Sequence, residues 1–344
     1  MTDVLRAAPR VRMAHLPTPI EKMGNLSRNL GACTIWVKRD DCTGLAAGGS
    51  KARKLDFLIG DALNQGAEVI VTHGAVQSNH LRQTAAACAR HGLHFEALLE
   101  ERVRNASNDY YKSGNRFLTQ MIGGKLHYCP AGADMSAALE ECKEELLRAG
   151  RRPYVVPGGG SSRIGSLGYV ECAYEILAQS EAMGVKFDLV VHATGSGGTQ
   201  AGLVAGMASR KNGIPILGFG VDRPQSVQHA HVFEHALETL RMIDPSACIG
   251  NGNIHVDCGY IGGGYGVPTD GMVEAVMLGA RLEGLLFDPV YTGKALAGMI
   301  GNLRAGNFAG MKDILFIHTG GAASLFAYPE LLRKFESRNG VATA

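Results

Sequence analysis

The chain has 344 residues, with 34 Lys and Arg against 32 Asp and Glu and a formal net charge of +2. So even a balance excludes a general nucleic-acid or polyanion binder, which carries a basic face, and 46% hydrophobic residues exclude intrinsic disorder. Glycine alone is in excess, 46 of 344 or about 13% against a usual ~7%, gathered in short clusters where backbone comes close to a ligand.

The opening stretch, MTDVLRAAPRVRMAHLPTP, lacks the apolar core of a secretory signal. No run approaches the ~18 uninterrupted apolar residues of a membrane span. Eight cysteines (Cys33, Cys42, Cys88, Cys129, Cys142, Cys172, Cys248 and Cys258) stand apart with no CxxC pair. Free thiols in a reducing, cytoplasmic setting are therefore expected, with no disulfide frame. Neither a membrane nor a nucleic acid is expected as a partner.

The first strand is expected at Thr34–Lys38, and the charged run Lys38-Arg39-Asp40-Asp41 reads as surface ion pairing. Gly48-Gly49-Ser50-Lys51 follows, where two glycines allow a sharp turn. Lys51 then opens a helix whose apolar face is Leu55, Leu58, Ile59, Ala62 and Leu63 and whose stop is Gly66. An ammonium at a helix N-terminus opposes the dipole, which lowers its pKa. That is what an amine needs to condense with an aldehyde, although a solvated surface lysine is the competing reading.

Strand Val69–Thr72 leads into the polar tetrad Gln77-Ser78-Asn79-His80. Ser78 suits the N-cap of a helix over Asn79–Arg90, and polar side chains beyond a parallel strand are also where α/β ligands bind. Phe95–Leu99, Lys125–Cys129 and Tyr154–Pro157 read as strands, with helices at Ala137–Arg148 and Gly168–Met183. After strand Leu189–His192 comes Thr194-Gly195-Ser196-Gly197-Gly198-Thr199-Gln200, opening a helix over Thr199–Lys211. Glycines and hydroxyls at a helix start make an anion nest. Gln200 stands where a dinucleotide fingerprint needs its third glycine, and no P-loop lysine follows, so a single phosphate is expected.

Past strand Ile216–Val221, the segment from Asp222 to Cys248 is a histidine-rich helical excursion. His231 and His235 share a helix face and, with His229, raise a metal site as a rival reading. No carboxylate or cysteine completes it, so a solvated helix surface and no metal are expected. The last segments, Phe287–Lys294 and strand Ile314–His318 with its Thr319-Gly320-Gly321 turn, each join an apolar run to a helix.

Strand–helix alternation of this kind predicts an α/β fold with mostly parallel sheets. The seams Gly48-Gly49 and Gly158-Gly159-Gly160 bracket a block long enough to stand alone. The expected division is a smaller inserted α/β domain over 51–166, within a larger cofactor-binding domain built from 1–50 and 167–344.

Taken together, Leu16-Pro17-Thr18-Pro19, Lys38–Asp41, the Lys51 stretch, Gln77–His80, Thr194–Gln200, Tyr265-Gly266-Val267-Pro268, Asp288–Lys294 and His318–Gly321 resemble the pyridoxal-phosphate enzymes of fold type II. The resemblance runs nearly the whole chain in the family's order. It is narrower to the branch holding D-cysteine desulfhydrase, L-cysteate sulfo-lyase and 1-aminocyclopropane-1-carboxylate deaminase. It implies two open, twisted, mostly parallel sheets flanked by helices, pyridoxal 5'-phosphate as cofactor, a small amino-acid substrate and a homodimer.

By position, the resemblance implies that Lys51 is the Schiff-base lysine and the base at the substrate Cα. Asn79 would meet the cofactor's phenolic oxygen and Tyr291 its ring. Thr194, Gly195, Ser196, Gly197, Gly198 and Thr199 would hold its phosphate, with Thr292, Thr319 and Gly320 completing the cofactor site. Ser78, Asn79, His80 and Tyr265 would face the substrate, with Ser78, Tyr265 and Tyr291 counted among the catalytic groups.

Two positions depart from the family. Ser50 stands where asparagine usually precedes the lysine, and Thr292 stands where the deaminase has glutamate facing the pyridine nitrogen. A neutral hydroxyl gives a weaker electron sink than a carboxylate, which suits β-elimination better than ring opening. The expected reaction is carbon–sulfur lysis, with L-cysteate giving pyruvate, sulfite and ammonia. His80, Ser50 and Thr43 are the candidate sulfonate donors. D-cysteine desulfhydration is the alternative, ahead of the deaminase and of a non-catalytic carrier of the cofactor.

Overall fold

A computed structural model describes residues 3–103, 106–130, 132–329 and 331. Among the described residues ten strands form two sheets: β1 (Ile20–Lys22), β2 (Thr34–Lys38), β3 (Val69–Ala75), β4 (His94–Glu100), β5 (Lys125–Cys129), β6 (Pro153–Val155), β7 (Leu189–Thr194), β8 (Ile216–Gly220), β9 (His255–Asp257) and β10 (Asp313–Ile317). The six-stranded sheet runs β1-β2-β10-β7-β8-β9 and the four-stranded one β5-β4-β3-β6. Every pair is parallel except β1 with β2. This is the mostly parallel α/β fold expected. The short strands β1 (Ile-Glu-Lys) and β9 (His-Val-Asp) each hold a single apolar residue and so give no apolar run to read.

β7 is buried at every position and β10 at all but its first. That is why their sequences read as unbroken apolar runs: helices cover both faces. On one face Phe219, Phe287 and Phe316 pack with helices Asp270–Glu283 and Thr292–Arg304. On the other, Arg163–Met183, Gly198–Ser209 and Gln225–Ile243 bring Ile176, Leu203 and Val232. The smaller sheet is covered by Lys51–Asn64 and Asn79–His91 on one side and by Met135–Arg148 on the other.

All strands of the smaller sheet come from within 69–155, and those of the larger from 20–38 and 189–317. The limit drawn at 166 falls inside the helix Arg163–Met183, which begins five residues earlier than its pattern indicated. The Lys51–Asn64 helix packs against that same helix, and Phe57 joins Leu167, Val170 and Leu240 in a shared cluster. The lysine helix is thus clamped between both units.

The Lys38–Asp41 run is only half a surface. Alternation along the chain leaves Arg39 and Asp41 partly exposed and paired at 2.8 Å, while Lys38 and Asp40 are fully buried. There they meet Arg53 and Glu175.

Candidate active site

The carboxyl ends of β3 and β6 in one sheet and of β7, β8 and β10 in the other converge on one cavity of about 340 Å³. This is where open parallel sheets bind ligands, and the volume suits a small organic molecule.

Lys51 lines that cavity as the first residue of its helix. The turn before it is tied down from several sides. Gly48 (φ +69) presses against Asp41 so closely that a Cβ would sit 1.8 Å from the Asp41 carbonyl oxygen. Thr43 Oγ1 both donates to Gly49 O and accepts from Gly49 N at 2.8 Å. Ser50 N reaches Thr319 O at 3.0 Å. Lys51 Nζ makes no hydrogen bond among the described residues, and its pKa falls to about 8. Burial is the cause, so the helix-terminus argument named the right direction for a different reason.

Lys54, one turn on, was not singled out in the sequence. It is fully buried and its pKa is pushed well down, first by burial and then by Lys51. Its Nζ lies 3.2 Å from Gly159 O and from Ser161 Oγ, outside the cavity lining. The half-buried Lys51 and the fully buried Lys54 therefore share one helix face, and of the two Lys51 presents a free amine to the cavity. Gly159 (φ +68) lets this wall close on the next loop, since a Cβ there would fall 2.3 Å from Ser196 Oγ.

Ser78 caps the Asn79–His91 helix through Leu81 N at 3.3 Å and lines the cavity, so its structural and functional readings hold together. Asn79 Oδ1 accepts from Arg82 (3.1 Å) and Asn115 (2.9 Å). With the oxygen taken, the amide orientation is set and its N–H groups face the cavity. Gln77 turns away, bonded to Tyr110 O, Ser113 O and Asn115 N.

His80 lines the cavity, but its ring is spent. Nε2 lies 2.9 Å from Thr72 Oγ1, which gives its own proton to Val156 O at 2.6 Å, so Nε2 is the donor. The bare Nδ1 rests 3.3 Å from Thr84 Oγ1. Burial, with Lys51 and Lys54 nearby, holds the ring neutral. No N–H remains for a substrate carboxylate or sulfonate. Thr43 is likewise consumed by the Gly49 turn. Of the three sulfonate donors considered, Ser50 alone lines the cavity with an unspent hydroxyl.

Thr194, Gly195, Ser196, Gly197 and Thr199 line one end. The first-turn amides of the Gly198–Ser209 helix have no intrahelical acceptor, which makes them available to an anion. Gly198 is the exception, since its N–H already serves Ser196 O (3.0 Å) and Ser161 Oγ (3.1 Å), and it lies behind the lining. Arg223 Nη1 fixes the loop at Gly195 O, 2.8 Å away. His231 and His235 also face this end, with His231 Nε2 3.2 Å from Ser196 O, so that helix face is cavity wall and not the solvated surface expected. Among the described residues, no group of three or more His, Cys, Asp or Glu is arranged to hold a metal ion.

Tyr291 and Tyr265 close the other wall, their hydroxyls 2.8 Å apart and their rings edge to face at 5.8 Å. The Tyr291 ring lies over Gly195. Asp288 aims it by accepting from Val290 N and Tyr291 N, both at 3.0 Å. Thr292 is the clearest departure from expectation. Its hydroxyl donates to Asp288 Oδ1 at 2.7 Å and accepts from Asp288 N at 2.8 Å, fully buried and away from the cavity. Position 292 therefore offers the cavity neither a carboxylate nor a hydroxyl. Thr319 lines the cavity with an unspent hydroxyl, while Gly320 lies behind it against Gly49. Arg102 and His73, both on the wall, had no sequence signal, because neither stands in a motif.

The profile described as pyridoxal-phosphate dependent enzyme matches residues 11–320. D-cysteine desulfhydrases of Salmonella typhi and Salmonella enteritidis are each 45% identical over 320 residues, 93% of this chain and 96% of theirs. The crystal structure of an ACC deaminase homologue superposes with a TM-score of 0.87 at 38% identity, over 96% of this chain and 97% of that one.

Proposed function

Because the chain belongs to the family of pyridoxal-phosphate-dependent enzymes, we propose that its cavity carries out β-elimination on a cysteine-like amino acid. D-cysteine would give pyruvate, hydrogen sulfide and ammonia. The observation that carries this reading is the unpartnered amine of Lys51, set between an anion nest and a tyrosine pair in one cavity. The relatives named D-cysteine desulfhydrase favour the sulfur substrate.

Pyridoxal phosphate suits the groups present. Its phosphate has the amides of Ser196, Gly197 and Thr199, its phenolic oxygen the Asn79 N–H, and its ring the face of Tyr291. Thr319, rather than Thr292, has the free hydroxyl for the ring nitrogen. When bound, the cofactor supplies the electron sink that lets a Cα proton be removed. Lys51, neutral in a useful fraction near neutral pH, would take that proton. Ser78 and the Asn79 amide would orient the substrate carboxylate. The tyrosine hydroxyls share one hydrogen bond, which leaves the second proton for transfer.

The L-cysteate reading has less behind it, since Thr43 and His80 are spent elsewhere. A homodimer is proposed on a separate footing. Phe117, Met121 and Phe326 are 51%, 64% and 76% exposed on packed neighbouring segments, an apolar surface suited to a second copy.

The test is to incubate protein loaded with cofactor separately with D-cysteine, L-cysteate and 1-aminocyclopropane-1-carboxylate. Pyruvate and sulfide in equal amounts from D-cysteine supports the proposal. Sulfite from L-cysteate alone, or 2-oxobutyrate from the ring compound alone, reassigns the substrate. No product from any of them leaves a carrier of the cofactor.

A further inference from the structure

Beyond the tyrosine pair the cavity wall carries a cation that no step above uses. Arg102 lies two residues past the end of β4, its guanidinium 5.3 Å from the centre of the Tyr265 ring. Glu100 grips one edge, with Nε at 2.7 Å and Nη2 at 2.6 Å from its Oε2. A carboxylate holding that edge fixes where the planar fork points. Nη1 faces Asp222 at 3.7 Å, beyond hydrogen-bonding distance, and its two N–H groups have no acceptor among the described residues. Asp222 lines the cavity too, so an incoming anion would enter beside a carboxylate whose hold on Arg102 is loose.

His73, at the end of the neighbouring strand β3, adds a second observation. Its Nδ1 is buried without a partner, and its ring has space only because Gly158 has no side chain, where a Cβ would come within 2.6 Å of Nε2. The order across the cavity is then the anion nest, Tyr291 over Gly195, Tyr265, and Arg102 over Tyr265. The nest takes one anion, and past the tyrosine pair Arg102 and His73 offer further donors on the same cavity wall.

We propose that Arg102 is the group that receives the anionic sulfur as it leaves the substrate's Cβ, oriented for this by Glu100 and Tyr265. The assignment rests on the elimination reading above. In that step the Cα–H bond breaks and its proton goes to the Lys51 amine. The electron pair left on Cα forms the Cα=Cβ bond as Cβ–S breaks, and sulfur departs with the pair of the broken bond. The charge that develops on sulfur falls where the Nη1 edge is aimed, and the enamine left behind takes up a proton and water to give pyruvate and ammonium. A fixed donor of this kind matters most when the leaving group is poor and its charge large.

The experiment compares wild type with Arg102→Gln and Arg102→Lys, all loaded with cofactor, on D-cysteine and on 3-chloro-D-alanine, whose chloride leaves without help. The expected result for Arg102→Gln is a loss of about 10²-fold in kcat/KM on D-cysteine, carried in kcat, and less than about 3-fold on the chloro compound. Arg102→Lys recovers part of the loss. Equal losses on both substrates, or no loss on D-cysteine, overturn the assignment. If the wild type eliminates chloride but Arg102→Gln handles both substrates alike, the lyase reading stands and Arg102 has another role. If the wild type eliminates neither group, the lyase reading falls and this assignment falls with it.

Discussion

Arg53 Nη2 and Asp40 Oδ1 lie 2.8 Å apart with both side chains closed off from solvent, two residues along the chain from Lys51. Arg53 also reaches Glu175 at 2.9 Å and Thr18 at 2.9 Å, and the Tyr169 hydroxyl donates to Asp40 at 2.7 Å. The network joins β2, the lysine helix and the Arg163–Met183 helix, so the base of the active-site helix is fixed from three directions. Removing the Asp40 charge leaves Arg53 buried beside fewer anions. Asp40→Asn is therefore expected to cost on the order of 3–5 kcal/mol, read as a lowered urea midpoint. A change under about 1 kcal/mol contradicts the role given to this pair.

Lys51 titrates in the folded protein at about 8 instead of 10.5. Between those values the unfolded chain holds a proton that the folded one has lost. The cofactor-free protein should therefore gain stability as pH rises from about 8 toward 10.5, with the burial penalty present in full below 8. Lys51→Met, compared across the same range by thermal unfolding, should flatten that rise. The rate of pyridoxal phosphate capture by the wild type should climb through pH 8 and then level. A rate independent of pH from 7 to 9 contradicts a desolvated, proton-poor amine.

Much of this was legible in the sequence for plain reasons. Buried parallel strands such as Leu189–Thr194 announce themselves as apolar runs, and the glycine turn before Lys51 is local. The same holds for Ser78, whose capping position is written in its neighbours. What could not be read is which partner claims a polar group, whether near or far along the chain. Lys38 and Asp40 are buried because Arg53 and Glu175 wait for them, 13 to 137 residues away. His80 looked like a donor until Thr72 claimed its proton. Thr292 looked like a ring contact because the family places a ring contact there, yet Asp288, four residues earlier, holds both sides of its hydroxyl.

That last relationship separates two threonines experimentally. Thr292→Val removes a buried hydroxyl bonded to a carboxylate and is expected to cost about 1–3 kcal/mol while leaving cofactor affinity nearly unchanged. Thr319→Val is expected to leave the melting temperature close to wild type and to weaken pyridoxal phosphate binding by about 10-fold, the equivalent of a lost hydrogen bond. Equilibrium titration of both variants by absorbance decides it, and the reverse pattern returns the ring contact to Thr292.

The tyrosine pair makes a third distinction. Tyr265→Phe keeps the ring that packs beside Arg102 but ends the 2.8 Å hydroxyl contact with Tyr291. A drop of about 10²-fold in kcat with KM little changed is expected if the hydroxyl moves a proton. A rise in KM with kcat intact assigns Tyr265 to substrate binding alone.

On the function proposed above, Lys51, and not its buried neighbour Lys54, carries the chemistry of this cavity. Reduction of the cofactor-loaded protein with borohydride, followed by peptide mass mapping, tests it directly. The account predicts the pyridoxyl mass on Lys51 and none on Lys54, whose amine is held by Gly159 and Ser161. Label on Lys54, or label that survives in Lys51→Ala at another lysine of the cavity, contradicts it.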